Sequence, residues 1–265
     1  PDHLARYASL EEYYADKDLL FRNASVQSWR VVNADDAEVL RRTATVPGHV
    51  RTFGVLSAAD ARYDAAARML VLEDQPFLER DRLPLLGAHN VANALCAALA
   101  VSLAQPEART AAGRAKLAVG LQSFTAPPHR LEPVGERDGV LWINDSKATN
   151  VGAARVAIEA MERPTILLLG GRHKGEPYTN LLDALRGRVR QVIAYGEAEA
   201  TIVADLATHV PVERGGSSFE AVMTRARDLA RPGDAVLLAP ACSSYDMFSN
   251  FEERGAAFRA LALHS

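Results

Sequence analysis

Gly139-Val-Leu-Trp-Ile-Asn-Asp-Ser-Lys-Ala-Thr-Asn150 is where the chain shows its architecture. Val140 to Ile143 is an apolar run of the length and character of a buried parallel strand. It stops on Asn144, Asp145, Ser146, Lys147, Thr149 and Asn150, and a helical pattern begins near Val151. In open α/β sheets, ligands bind just beyond the carboxyl ends of the strands. An acid, a lysine and two hydroxyls in such a turn point to chemistry. Thr149 or Asn150 capping the helix would account for one of these residues. It would leave Asp145 and Lys147 unexplained.

The same alternation continues downstream. Strands are expected at 139–144, 165–170, 189–195, near 209–212 and at 235–239. Helices are expected at 151–161, 179–187, 197–206, 217–230 and 252–263. Strands alternating with helices imply a doubly wound, mainly parallel sheet. Two further polar turns follow strands: Gly170-Gly-Arg-His-Lys-Gly175 and Pro240-Ala-Cys-Ser-Ser-Tyr-Asp246. All three turns fall at one edge of the sheet, so their side chains can converge. Lys147 and Lys174 supply cations, and Ser243, Ser244 and nearby N–H groups supply donors. The set suits a ligand with two carboxylates, or with a phosphate and a carboxylate. Three ordinary loops are the plainer alternative.

Upstream, Ser9 to Asn23 has helical spacing, with Ser9 as N-cap candidate. Trp29–Asn33, 51–56 and 67–72 resemble strands, and 77–86 a peripheral hairpin or ribbon. Strong helical patterns cover 88–104 and 106–121. The first of these opens with Gly87-Ala-His-Asn-Val-Ala-Asn93, which sets Asn90 and Asn93 on one face. That pattern is equally compatible with a polar first turn. Pro127-Pro128 reads as a hinge, giving domains 1–126 and 127–265.

The chain has 265 residues, 48% hydrophobic and 24% charged, ordinary for a globular protein. A net charge of −3 gives no reason to expect nucleic acid. No apolar run approaches the roughly 20 residues that cross a bilayer, and no secretory signal is present, so no membrane insertion is expected. Two cysteines make a disulfide framework improbable and a cytoplasmic location the expectation. Cys96 is expected in the core. Cys242 lies in a polar loop, with no motif for a nucleophilic triad. The start at Pro1-Asp-His-Leu reads as a segment cut from a longer chain.

Asn144-Asp-Ser-Lys-Ala-Thr-Asn150 resembles the signature of the D-glutamate-adding Mur ligases, as does Pro240 to Gly255. The resemblance implies a partial central ATPase domain followed by a Rossmann-like carboxyl-terminal domain that binds the amino acid. It implies that Arg130 and Asp145 bind the nucleotide of ATP, with Lys147 near the γ-phosphate. Asn93 would help to hold adenine. Thr149, Lys174, Ser244 and Phe251 would contact glutamate, although the loop around Arg172-His173 departs from the family. Asp2-His3-Leu4 with Arg6-Tyr7 matches a segment whose histidine ligates Mg2+. Lys17 matches a lysine that becomes carbamylated, in a helix one residue shorter than usual. A carbamate is an anionic oxygen ligand of the kind Mg2+ prefers.

The implied reaction is an ATP-dependent ligation by a cytoplasmic monomer. UDP-N-acetylmuramoyl-L-alanine is phosphorylated to an acyl phosphate, which the amine of D-glutamate attacks. Domain closure at the hinge would bring the two together. The family also uses a Gly-x-x-x-x-Gly-Lys-[Ser/Thr] loop, and none occurs here. The chain is therefore expected to be inactive alone. The alternatives are another Mur or folylpolyglutamate-type ligase and a non-catalytic nucleotide- or amino-acid-binding module. A dinucleotide-dependent oxidoreductase would need a Gly-x-Gly-x-x-Gly turn, which is missing.

Overall fold

A computed structural model describes residues 6–263. His3 lies outside them. The chain divides into two compact units. One takes the described residues up to Pro84 together with Ala88–Phe124; the other takes Leu85–Gly87 and the described residues from Thr125 onward.

The first unit opens with α1 (Leu10–Asp18). Ser9 caps it by accepting a 3.1 Å hydrogen bond from the Glu12 N–H. The expected single helix to Asn23 instead tightens into a 3-10 turn at Leu19–Phe21. Then follow β1 (Trp29–Asn33), α2 (Ala37–Thr43), β2 (His49–Gly54), β3 (Ala61–Asp64), β4 (Met69–Leu72) and β5 (Gln75–Glu79). They form one sheet in the order β1-β2-β3-β4-β5. The pairs β1/β2 and β2/β3 are parallel, and β3/β4 and β4/β5 antiparallel. The expected hairpin at 77–86 lies earlier, across β4 and β5. Its turn is Glu73-Asp74, both left-handed with φ 47° and 62°, so no glycine marked it. α3 (Ala88–Ala104) packs on this sheet with Val91, Ala94, Leu95, Ala98 and Leu99 buried. A 3-10 turn (Pro106–Arg109) and α4 (Ala111–Gln122) close the unit.

The second unit runs β6 (Glu132–Arg137), β7 (Val140–Asn144), α5 (Val151–Glu159), β8 (Thr165–Gly170), a 3-10 turn (Tyr178–Leu181), α6 (Leu182–Leu185) and β9 (Val189–Tyr195). It continues with α7 (Glu199–Leu206), β10 (Val212–Gly216), α8 (Phe219–Leu229), β11 (Ala235–Leu238) and α9 (Phe251–Leu263). The sheet order is β10-β9-β8-β11-β7-β6, parallel except for the β6–β7 hairpin. Sequence reading did not anticipate β6. Pro133 and Gly135 disguise it, and both are tolerable because β6 is an edge strand with a register shift there. The helix expected at 179–187 is a 3-10 turn plus four residues of α6.

The central strands separate two apolar layers. Leu167 and Leu169 of β8, with Leu237 of β11, face a cluster containing Ala154, Ile158, Leu181 and Ile202. Ile166, Leu168, Val236 and Leu238 face a second one containing Trp142, Phe219, Val222 and Phe258. Every residue of β8 is buried, which is why its sequence is a continuous apolar run rather than an alternation. Leu168 has no exposed surface. Leu168→Ala is expected to lower the stability of this unit by about 2–5 kcal/mol, read from its urea midpoint.

Candidate functional site

Three polar turns of the second unit follow β7, β8 and β11, and β11 lies between the other two in the sheet. The three are therefore spatial neighbours, as the sequence implied. The turn after β7 is fixed from beneath. Asn144 is fully buried; its Nδ2 donates to Glu132 Oε2 at 3.1 Å and to the Gly255 carbonyl at 3.3 Å. The same Nδ2 lies 3.1 Å from His129 Nδ1, and Asn144 Oδ1 accepts from the Ser146 N–H at 3.1 Å. Ser146 donates its hydroxyl to the Phe251 carbonyl at 2.8 Å. Arg254, 1% exposed, donates through Nε to Ser146 Oγ at 2.9 Å. Through NH2 it reaches the Ser146 carbonyl at 2.9 Å and the Cys242 carbonyl at 3.1 Å. Asn150 caps α5 by accepting from the Ala153 N–H at 2.8 Å. Capping thus explains Asn150, and Asp145, Lys147 and Thr149 stay available for other work.

Those residues form two groups. In the first, the Asp145 N–H donates to the Leu238 carbonyl at 2.8 Å and the Lys147 N–H to the His129 carbonyl at 3.1 Å. His129 and Leu131, on either side of Arg130, hold left-handed φ values of 64° and 42°. Such conformations in non-glycine residues cluster at functional sites. Burial pushes the Asp145 carboxyl up to about 7, against the opposing pull of the Leu131 backbone and the Arg130 charge. Lys147 Nζ rests 3.9 Å from the centroid of the Phe251 ring, a cation–π contact. His129 meets the same ring edge-on at 5.9 Å. A carboxylate, a guanidinium and an ammonium in this arrangement offer one acceptor and two cations to a polyanion.

In the second group, Lys174 Nζ lies 3.5 Å from Thr149 Oγ1. The glycine loop carrying Lys174 is bridged to the loop carrying Ser244, because the Arg172 N–H donates to the Ser243 carbonyl at 2.9 Å. Gly171 is required at that bridge: a Cβ there would sit 2.3 Å from the Ser243 carbonyl oxygen. The Ala241 N–H donates to the Ala148 carbonyl at 2.9 Å, tying the third turn to the first. Ser244 is 2% exposed, Lys174 is exposed and Thr149 intermediate. Below this group, Tyr178 OH stands 3.0 Å from His173 Nδ1 and 2.9 Å from Cys242 Sγ. Burial pushes the Cys242 thiol up to about 11. A buried, protonated thiol is no nucleophile.

Two of the candidates belong to the first unit. Asn93 Nδ2 donates to Asn90 Oδ1 at 3.2 Å on one face of α3. Lys17 is exposed near the end of α1, its Nζ 5.1 Å from the Tyr13 ring centroid. It lines a cavity of about 330 Å3 with Asp18, Asp36, Glu38 and Arg42. Arg42 engages both Asp18, at 2.6 Å, and Glu38, at 2.5 Å, while Asp36 caps α2. The described residues bring together no group of three His, Cys, Asp or Glu fit to hold a metal. His3, the other metal candidate, lies outside them.

Sequence reading gave no role to Asn144, Ser146, Arg254, His173 or Tyr178. Their signal was weak: Asn144, Ser146, Tyr178 and Arg254 are polar residues whose burial only the fold reveals, and His173 is one polar residue of an exposed loop.

Two family profiles match the chain: the Mur ligase middle domain over residues 1–101, and the Mur ligase glutamate ligase domain over residues 129–242. The UDP-N-acetylmuramoylalanine--D-glutamate ligase of Salinibacter ruber is 39% identical over 270 residues, covering 98% of this chain and 57% of that protein. The enzyme of the same name from Myxococcus xanthus is 39% identical over 269 residues, covering 98% and 58%. The chain thus spans a little over half the length of these curated relatives. Among solved structures, the MurF ligase of Thermotoga maritima in complex with ADP matches with a TM-score of 0.65 at 18% identity, covering 97% of this chain and 60% of that one. At that identity the likeness concerns the fold.

The Asp145 carboxyl has a pH consequence. Its affinity for a proton rises from the ordinary 3.8 to about 7 on folding. The folded chain therefore takes up a proton between about pH 4 and 7, and stability falls as pH rises through that window. Asp145→Asn is expected to flatten this dependence, measured as thermal midpoint against pH. An unchanged slope would contradict the burial argument.

Proposed function

The chain belongs to the Mur ligase family, and from that premise we propose that it provides the amino-acid-binding unit and part of the nucleotide-binding unit of an ATP-dependent ligase joining D-glutamate to UDP-N-acetylmuramoyl-L-alanine. The observation that carries the proposal is the convergence of Thr149, Lys174 and the Ser244 loop around the Asn144–Asn150 turn. A cation, hydroxyls and backbone N–H groups gathered there suit a substrate with two carboxylates.

In this reading the residues have separate tasks. Asp145 and Arg130 bind the nucleotide, the carboxylate accepting from hydroxyl groups and the guanidinium opposing phosphate charge. Lys147 leaves Phe251 to neutralise the γ-phosphate as the acyl carboxylate oxygen attacks its phosphorus and ADP departs. Lys174, Thr149 and Ser244 hold the glutamate carboxylates, with Phe251 alongside. Its deprotonated amine then attacks the acyl carbon, phosphate leaves, and the nitrogen loses a proton to solvent as the amide forms. Asn93 of the first unit contacts adenine. His3 and a carbamylated Lys17 are the groups proposed to hold Mg2+, which, when bound, neutralises phosphate charge. A cytoplasmic monomer is the matching proposal for its setting. Among the described residues, no helix is long and apolar enough to cross a membrane.

The test uses the chain with whatever residues its coding sequence places upstream. Phosphate release from ATP is followed with UDP-N-acetylmuramoyl-L-alanine and, separately, D-glutamate, L-glutamate, L-lysine or diaminopimelate. Release that depends on D-glutamate supports the proposal. Dependence on another amino acid moves the function elsewhere in the family, and binding without release favours a non-catalytic module. Lys174→Ala is expected to raise the half-saturating D-glutamate concentration roughly 10- to 150-fold, the range for losing a charge-assisted contact. The ATP requirement should change little.

A further inference from the structure

His173, Tyr178 and Cys242 form a continuous side-chain chain that the reaction above does not use. His173 sits next to Lys174 in the loop after β8, and Cys242 lies two residues before Ser244 in the loop after β11. Tyr178, at the start of the 3-10 turn, spans between them with contacts of 3.0 and 2.9 Å. The phenol is 1% exposed and the thiol fully buried, while the imidazole faces solvent. The Tyr178 backbone N–H donates to Asp205 Oδ2 at 2.8 Å, anchoring the start of the 3-10 turn to α7. The imidazole and phenol also lie against each other, 5.3 Å between centroids.

We propose that His173 and Tyr178 are positioning residues for amino-acid binding, hydrogen-bonded in series with Cys242 so that the loop carrying Lys174 is held at a set distance from the loop carrying Ser244. The inference rests on the ligase reading, since it assigns both loops to one substrate. Backbone contact alone does not explain it. The Arg172–Ser243 bridge fixes the loops at their bases, whereas Lys174 lies beyond that bridge in a segment exposed from Arg172 to Pro177. The His173 ring is the tie that returns this segment to the buried floor. Burial raises the proton affinity of both the phenol and the thiol, so both keep their protons at neutral pH. A neutral imidazole accepts from Tyr178 while Cys242 donates to the phenol oxygen. A protonated one donates, and Tyr178 donates onward to sulfur. The series stays connected in either state.

The test again uses the chain with its upstream coding residues. Tyr178→Phe and His173→Ala are each expected to raise the half-saturating D-glutamate concentration roughly 5- to 10-fold, the scale of one neutral hydrogen bond. The ATP requirement and kcat should stay within about twofold. Because the contacts lie in series, the double variant should be no worse than the stronger single one. His173→Asn, whose amide reaches the place of Nδ1, should restore most of the affinity. His173 is exposed, so its variants keep the packing even if Tyr178→Phe unfolds. Unchanged glutamate dependence, equal effects on ATP and glutamate, or an additive double variant would overturn the inference. A wild-type protein without D-glutamate-dependent release would instead refute the ligase reading. The series itself is read separately, from the imidazole nitrogen resonances of His173 in this chain: Tyr178→Phe must move the Nδ1 signal, and an unmoved signal overturns the series whatever the activity.

Discussion

Arg254 carries a full charge into the floor of the second unit, and its acceptors there are one hydroxyl and two carbonyls. A guanidinium withdrawn from water to this extent depends on the donors that are used, here Nε and NH2, while its NH1 makes no hydrogen bond. The acceptors that use them lie in the turns after β7 and β11. The requirement to satisfy one buried cation therefore fixes the distance between two loops of the site. The third loop follows through the Arg172–Ser243 backbone contact, and Gly171 leaves room for that approach. The exposed side chains of these loops can then sit at an open surface while the backbone beneath them is held in place from below.

Within this frame, neighbouring residues of one turn differ sharply in character. Asp145 is desolvated enough to hold a proton near neutrality. Lys147, two residues on, is exposed and rests on an aromatic face. Thr149 faces the Lys174 ammonium, and Asn150 is absorbed by the helix start. A six-residue segment thus divides into an acceptor whose charge depends on its surroundings, a movable cation, a hydroxyl paired with a second cation, and a cap. The division follows from the abrupt exit of a buried strand, where successive side chains point in different directions.

The sheet of the second unit was legible because its strands are buried on both faces. Val140–Ile143, Thr165–Gly170 and Ala235–Leu238 are apolar runs bounded by polar turns, a signal independent of neighbours. The three converging turns could be named for the same reason. What escaped was whatever depends on partners distant in sequence. β6 contains Pro133 and Gly135 and is a strand only because β7 lies beside it. The β4–β5 turn uses Glu73 and Asp74 in left-handed geometry without the usual glycine. Arg254 reads as one charge among Glu252, Glu253 and Arg259 in an amphipathic segment, and its burial depends on groups more than a hundred residues away. Tyr178 stands just before the expected helix at 179–187 and instead opens the 3-10 turn that precedes a short α6, so periodicity could not place its hydroxyl.

The distance along the chain between Ser146 and Arg254, 108 residues, also sets an order of events during synthesis. At about 5–20 residues per second, translation leaves roughly 5–20 s between the emergence of the β7 turn from the ribosome and the emergence of its buried cation. Throughout that interval Asn144 lacks the Gly255 carbonyl and Ser146 lacks its Phe251 and Arg254 partners. In that interval β8 can pair with β9, and β7 with β6, but the two halves join only through β11, so the edge where the three turns meet must wait as an unfinished surface until β11 and α9 are delivered.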